Sequence, residues 1–163
     1  MPRHMPQQRP GRSRQDFATD RKLIMAILNR FGPLGLDLAA NTSNTVCEKW
    51  LGPGSNLAED ALIVDWSQYT RYGQMWLNPP FGHILPWAVK CRGTMREGTS
   101  IFLLTPLSTA NWTRYVYGHA HVMALRGRLT FEGESACYPK DCMVSWFHKG
   151  ITGFEVWDWE KDL

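Results

Sequence analysis

Met75-Trp76-Leu77-Asn78-Pro79-Pro80-Phe81 is the stretch on which the reading of this chain turns. Met75-Trp76-Leu77 is apolar throughout and reads as the end of a buried strand. Two consecutive prolines cannot continue it. Each lacks an N–H and fixes its own φ, and each restricts the residue before it. The strand must therefore end in a rigid turn at its carboxyl end. Asn78 presents an amide carbonyl there, and Phe81 presents a flat aromatic face. An acceptor beside a stacking face suits a planar base held by its exocyclic amino group. An ordinary Pro-rich turn with a surface Asn is the plainer alternative.

Working outward, residues 20–31 carry Leu23, Ile24, Ile27, Leu28 and Phe31 at helical spacing. Thr19 or Asp20 is the expected N-cap, and Gly32-Pro33 the stop. Residues 34–38 read as a short buried strand. Residues 41–50 read as loop with a short helix, and 61–64 as a weak strand or helix fragment. Residues 84–95 have a helical pattern with Pro86 in the first turn. Residues 100–104 form a strongly apolar strand, 112–117 a helix, and 121–125 another strand. Residues 129–131, 143–147 and 154–159 read as late strands. Strands separated by helices predict an α/β sheet, mostly parallel. The late strands lack intervening helices, so a late antiparallel hairpin is expected. Ligands of such sheets sit beyond the strand carboxyl ends.

The 163 residues are enough for one domain with a real core and too few for two. No apolar run reaches the length of a membrane span, and the amino terminus lacks the apolar segment of a signal peptide. A cytoplasmic location is expected, the host cytoplasm if the chain is phage-encoded. Cys47, Cys91, Cys137 and Cys142 form no Cys-x-x-Cys pair and read as free thiols. No metal is expected, since His119 and His121 lack further partners. Net charge is +3, and residues 1–15 hold Arg3, Arg9, Arg12 and Arg14 without an acid, which leaves −1 for the rest. This Pro-rich stretch is expected to be a disordered basic arm meeting phosphates, with Arg9, Arg12 and Arg14 as candidate DNA contacts. Arg126 and Arg128, flanking Gly127, are the other candidates.

Asp37 ends the first strand of the pattern and precedes Ala39-Ala40. A carboxylate there accepts from a ligand's donor, or caps a helix. Asp37 stands in one of five segments that occur in a telling order: Asp16-Phe17-Ala18-Thr19-Asp20, Leu36-Asp37-Leu38-Ala39-Ala40, Asp60-Ala61-Leu62, Trp76-Leu77-Asn78-Pro79-Pro80-Phe81 and Gly127-Arg128-Leu129-Thr130-Phe131. Together they resemble the small phage-type Dam family of DNA adenine-N6 methyltransferases over roughly residues 16–148. The family's usual Trp-x-Thr-Pro appears here as Phe17-Ala18-Thr19-Asp20. Its Pro after the first Asp is replaced by Leu38.

The resemblance implies a Rossmann-like methyltransferase sheet, with residues 16–163 as a single methyltransferase domain. It implies S-adenosylmethionine as methyl donor and a flipped adenine in double-stranded DNA as acceptor. Asn78, Pro79, Pro80 and Phe81 are then catalytic. Phe17 and Thr19 border the cofactor, Asp37 holds its amino-acid or ribose end, and Asp60 meets its adenine side. Loops 41–59, 106–118 and 132–141 are left to recognise the target. The rival expectations are an amino methyltransferase acting on cytosine or RNA, and a non-enzymatic nucleic-acid-binding protein that keeps the fold.

Overall fold

The computed structural model describes residues 17–96 and 98–163. The basic arm and its Arg9, Arg12 and Arg14 lie outside the described residues. The first helix, α1 (Arg21–Phe31), is capped by Asp20, whose side chain accepts from the Lys22 amide. Gly32 ends it at φ +92°, a conformation open to glycine. Next come β1 (Leu34–Asp37), a 3₁₀ helix (Trp66–Tyr72), β2 (Gln74–Leu77), α2 (Leu85–Thr94) and β3 (Ser100–Pro106). A short 3₁₀ helix (Asn111–Tyr115), β4 (His121–Leu125), β5 (Cys142–His148) and β6 (Gly153–Trp157) follow.

The strands form a six-stranded sheet in the order β1-β2-β3-β5-β4-β6. β1, β2 and β3 pair in parallel, as do β4 and β6, while β5 runs antiparallel to both of its neighbours. Alternate residues feed two cores, one on each face. Met75, Leu77, Ile101 and Leu103 join Trp66, Trp87 and Ala88 on one side. Trp76, Phe102 and Leu104 join Leu23 and Ile27 of α1 on the other. Cover on both faces is what a mainly parallel sheet requires.

Four sequence expectations are corrected. β5 and β6 do not pair with each other; the late antiparallel pairing lies one strand earlier, between β4 and β5, and β5 also runs antiparallel to β3. β5 is buried along both faces and belongs in the sheet interior, between β3 and β4. β6 exposes Phe154 and Val156 and forms the edge. Residues 129–131 are not a strand and pair with none of the six. Leu129 and Phe131 still bury their side chains, and single backbone bonds tie this stretch to Ala18 and Tyr138. Residues 61–64 form a turn in which Asp60 accepts from the Leu62 amide and Ile63 faces solvent. Within 41–50 no helix forms, because the Asn41 side chain accepts from the Ser43 and Asn44 amides and holds the backbone in a turn.

Candidate active site

β2 ends at Leu77, and the double proline carries the chain away from the sheet. The Asn78 carboxamide is fixed at that point. Its Nδ2 donates to the Phe17 carbonyl at 2.9 Å and to Thr19 Oγ1 at 3.1 Å. A main-chain carbonyl can only accept, so the NH₂ end must face residues 17–19 and Oδ1 must face away. Among the described residues nothing donates to that oxygen. Thr19 is 4% exposed, and its Oγ1 also accepts from Trp76 Nε1 at 3.2 Å.

Beside this amide, beyond the carboxyl ends of β1 and β2, lies a cavity of about 300 Å³. Phe17, Leu51, Ala61 and Trp87 supply apolar wall, Asn78 and Pro80 one side, and Glu59 and Asp60 two carboxylates. Ala39, Ala40, Asn41 and Asn44 contribute from the loop after β1. That loop packs against Gly52, which sits at φ +138°, where a Cβ would overlap the Ala40 carbonyl. A glycine is required for the two backbone segments to meet and close the cavity.

Asp37 does not line this cavity. It is 3% exposed, and its two carboxylate oxygens accept from the Ala39 amide at 3.2 Å and the Val46 amide at 3.0 Å. Burial raises its pKa to about 6, against the lowering effect of those two bonds. Its carboxylate braces the ends of the loop whose middle lines the cavity. Burial, and then the charge of Asp37, push the neighbouring Cys47 thiol up to about 12. Asp60 is exposed at the rim, where it also accepts from the Leu62 amide.

Phe81 is half-buried, with its ring edge-on to Phe131 at 5.9 Å and to Tyr138 at 5.5 Å. Phe131 in turn stacks on Phe17 at 5.2 Å. The turn, the cavity wall and the segment after β4 are thus joined by four rings. Sequence reading did not single out Tyr138, Trp87, Glu59 or Gly52. Tyr138 lies in a polar loop without periodicity, and Gly52 reads there only as part of a Gly-Pro-Gly loop.

Of the sequence candidates, the cavity gathers Phe17, Asp60, Asn78 and Pro80. Thr19 stands behind Asn78, and Phe81 joins the ring cluster. Arg126 and Arg128 are exposed and apart from the cavity lining, each 3.9 Å from an acid, Asp158 and Asp141 respectively. His119 accepts from Arg92 while His121 pairs with Glu155. No group of three metal-binding side chains occurs among the described residues. Among them, too, no helix is long and apolar enough to cross a membrane.

A family model described as DNA N-6-adenine-methyltransferase (Dam) matches residues 7–147. A DNA N-6-adenine-methyltransferase of Escherichia phage T1 is 28% identical over 149 residues, which cover 90% of this chain and 59% of that protein. The chain thus spans less than two thirds of the length of that relative. No solved structure matches it.

Proposed function

We propose, since this chain belongs to the DNA N-6-adenine-methyltransferase (Dam) family, that it methylates the exocyclic amino group of adenine in double-stranded DNA. One observation carries the site assignment. The Asn78 amide lines the cavity with its NH₂ end anchored and its carbonyl end left for a ligand. Parallel β1, β2 and β3, with the carboxyl ends of β1 and β2 at the cavity, support a Rossmann-like methyltransferase sheet. We read residues 16–163 as one such domain.

The cavity suits S-adenosylmethionine. Leu51, Ala61 and Trp87 offer apolar wall to a purine, and the Asp60 and Glu59 carboxylates offer acceptors to its amino and hydroxyl groups. Phe17 closes the side toward Asn78. That donor supplies an electrophilic sulfonium methyl. Asp37 acts at one remove, by holding the loop at Ala39 and Val46.

The chain's own residues deal with the target. Adenine's amino lone pair is delocalised into the ring, so the nitrogen is a weak nucleophile. Asn78 Oδ1 and the Pro79 carbonyl accept its two hydrogens and draw the nitrogen toward pyramidal geometry. The lone pair would then attack the methyl carbon as the carbon–sulfur bond breaks with its electron pair left on sulfur, and the nitrogen would release one proton to solvent. Positioning and fixed dipoles provide the rate, without a strong general base. The base must leave the duplex first, and Phe81 supplies a face for it.

Incubation with unmethylated duplex DNA and methyl-labelled cofactor, followed by nucleoside analysis, tests this reading. Label in N6-methyladenine is expected. Label in N4-methylcytosine or in RNA would replace the substrate. Cofactor binding without any transfer would make the protein a non-enzymatic binder.

A further inference from the structure

We infer that Thr19 is a positioning residue that, together with the Phe17 carbonyl, holds the Asn78 amide in place, and not a wall of the cofactor cavity. The inference rests on the assignment of Asn78 to the target amino group. Thr19 is 4% exposed and is absent from the cavity lining. Its hydroxyl oxygen sits between two donors, Trp76 Nε1 at 3.2 Å and Asn78 Nδ2 at 3.1 Å. A hydroxyl has two lone pairs, and both are used.

The partners make this arrangement rigid. Trp76 is fully buried within β2, two residues before Asn78. Its indole can only donate, so one lone pair of Thr19 is committed to it, and the Phe17 carbonyl, which can only accept, makes Asn78 offer its NH₂ end to the other. The core thereby fixes the position of the hydroxyl, and the hydroxyl and the Phe17 carbonyl together hold the amide. Without Thr19 the NH₂ end would keep only the Phe17 carbonyl. With one anchor in place of two, the carboxamide can rock about its side-chain bonds while the Phe17 carbonyl still keeps its NH₂ end inward. Its carbonyl end is then less firmly aimed at the point where the reaction needs an acceptor.

The test compares Thr19→Val, which keeps the shape and removes the acceptor, with Thr19→Ser, which keeps the acceptor. Each is assayed on unmethylated duplex DNA at saturating S-adenosylmethionine, alone and in an Asn78→Ala background. Thr19→Val should lower kcat on the order of 10- to 100-fold, and Thr19→Ser should restore most of it. Calorimetric affinity for S-adenosylmethionine should stay near wild type in both. In the Asn78→Ala background Thr19→Val should add little, because residues acting as a unit are not additive. A full further loss in that background, or a fall in cofactor affinity matching the fall in kcat, would overturn the inference.

A second readout is independent of activity. The Asn78 side-chain amide protons, assigned by their loss in Asn78→Ala, should exchange slowly with solvent in wild type and Thr19→Ser. Exchange in wild type as fast as at an exposed Asn would refute the lock. This measurement needs no folded Thr19→Val protein. It also decides the matter if wild type transfers no methyl to adenine, in which case the proposed function alone fails.

Discussion

At the scale of single residues, Asp37 and Asn78 are both polar groups at strand ends, and their surroundings give them opposite tasks. Asn78 keeps one end of its amide for a ligand, whereas Asp37 spends both oxygens on the Ala39 and Val46 amides. The Asp37 carboxyl titrates near 6 in the folded chain against 3.8 when unperturbed. The folded chain therefore holds this proton more tightly than the unfolded one does. Its contribution to stability is fully present below pH ~4, declines as pH rises through ~6 and is flat above; the difference is about 3 kcal/mol. Asp37→Asn lacks this titration. Denaturant melts at several pH values should show the gap between wild type and variant moving in the variant's favour from pH 4 to 7. A gap constant with pH would mean that the carboxyl titrates normally. Asn78 was legible in the sequence because the chemistry of Pro79 and Pro80 is local. The links from Thr19 to Trp76 and Asn78 were not, because they join residues 57 and 59 positions apart.

At the scale of elements, adjacency in the chain misled where burial would have decided. Met143 to Phe147 and Phe154 to Trp159 follow one another without a helix, so a hairpin was the natural expectation. Val144 is completely buried, whereas Val156 is 57% exposed. That difference puts β5 in the interior and β6 at the edge. It also makes a clean comparison, since the same atoms are deleted from both. Val144→Ala should cost roughly 2 kcal/mol in lost transfer energy and residual cavity. Val156→Ala should stay within about 0.5 kcal/mol. Equal losses in urea melts would contradict the strand order. α1, β1, β2 and α2 were legible because their apolar spacing and their stops coincide in the sequence. The loop 39–53 was not. Its shape depends on the Asp37 carboxylate turning back to Val46 and on Gly52 meeting Ala40.

At the scale of the whole molecule, the arginine-rich stretch of the sequence and the candidate site fall in different parts of the chain. Four arginines stand in residues 1–15, and the remainder carries −1. Each phosphate neutralised adds about 0.9 to the logarithmic salt slope of DNA binding. Deleting residues 1–15 should thus lower that slope by roughly 2 to 4 units and leave cofactor affinity unchanged. Salt titrations with identical slopes would move the search for the DNA-facing charge to Arg126 and Arg128. The proposed catalysis, in contrast, is assigned to the carboxyl edge of the sheet, where the cavity behind β1 meets the turn after β2. The central claim is that Asn78 faces the target base across from that cavity. Asn78→Ala tests it most directly, with single-turnover methyl transfer to DNA and calorimetric S-adenosylmethionine binding measured on one preparation. Transfer should fall roughly 100- to 1000-fold while cofactor affinity holds. Transfer above about a third of wild type, or a loss explained by weaker cofactor binding, would contradict the account.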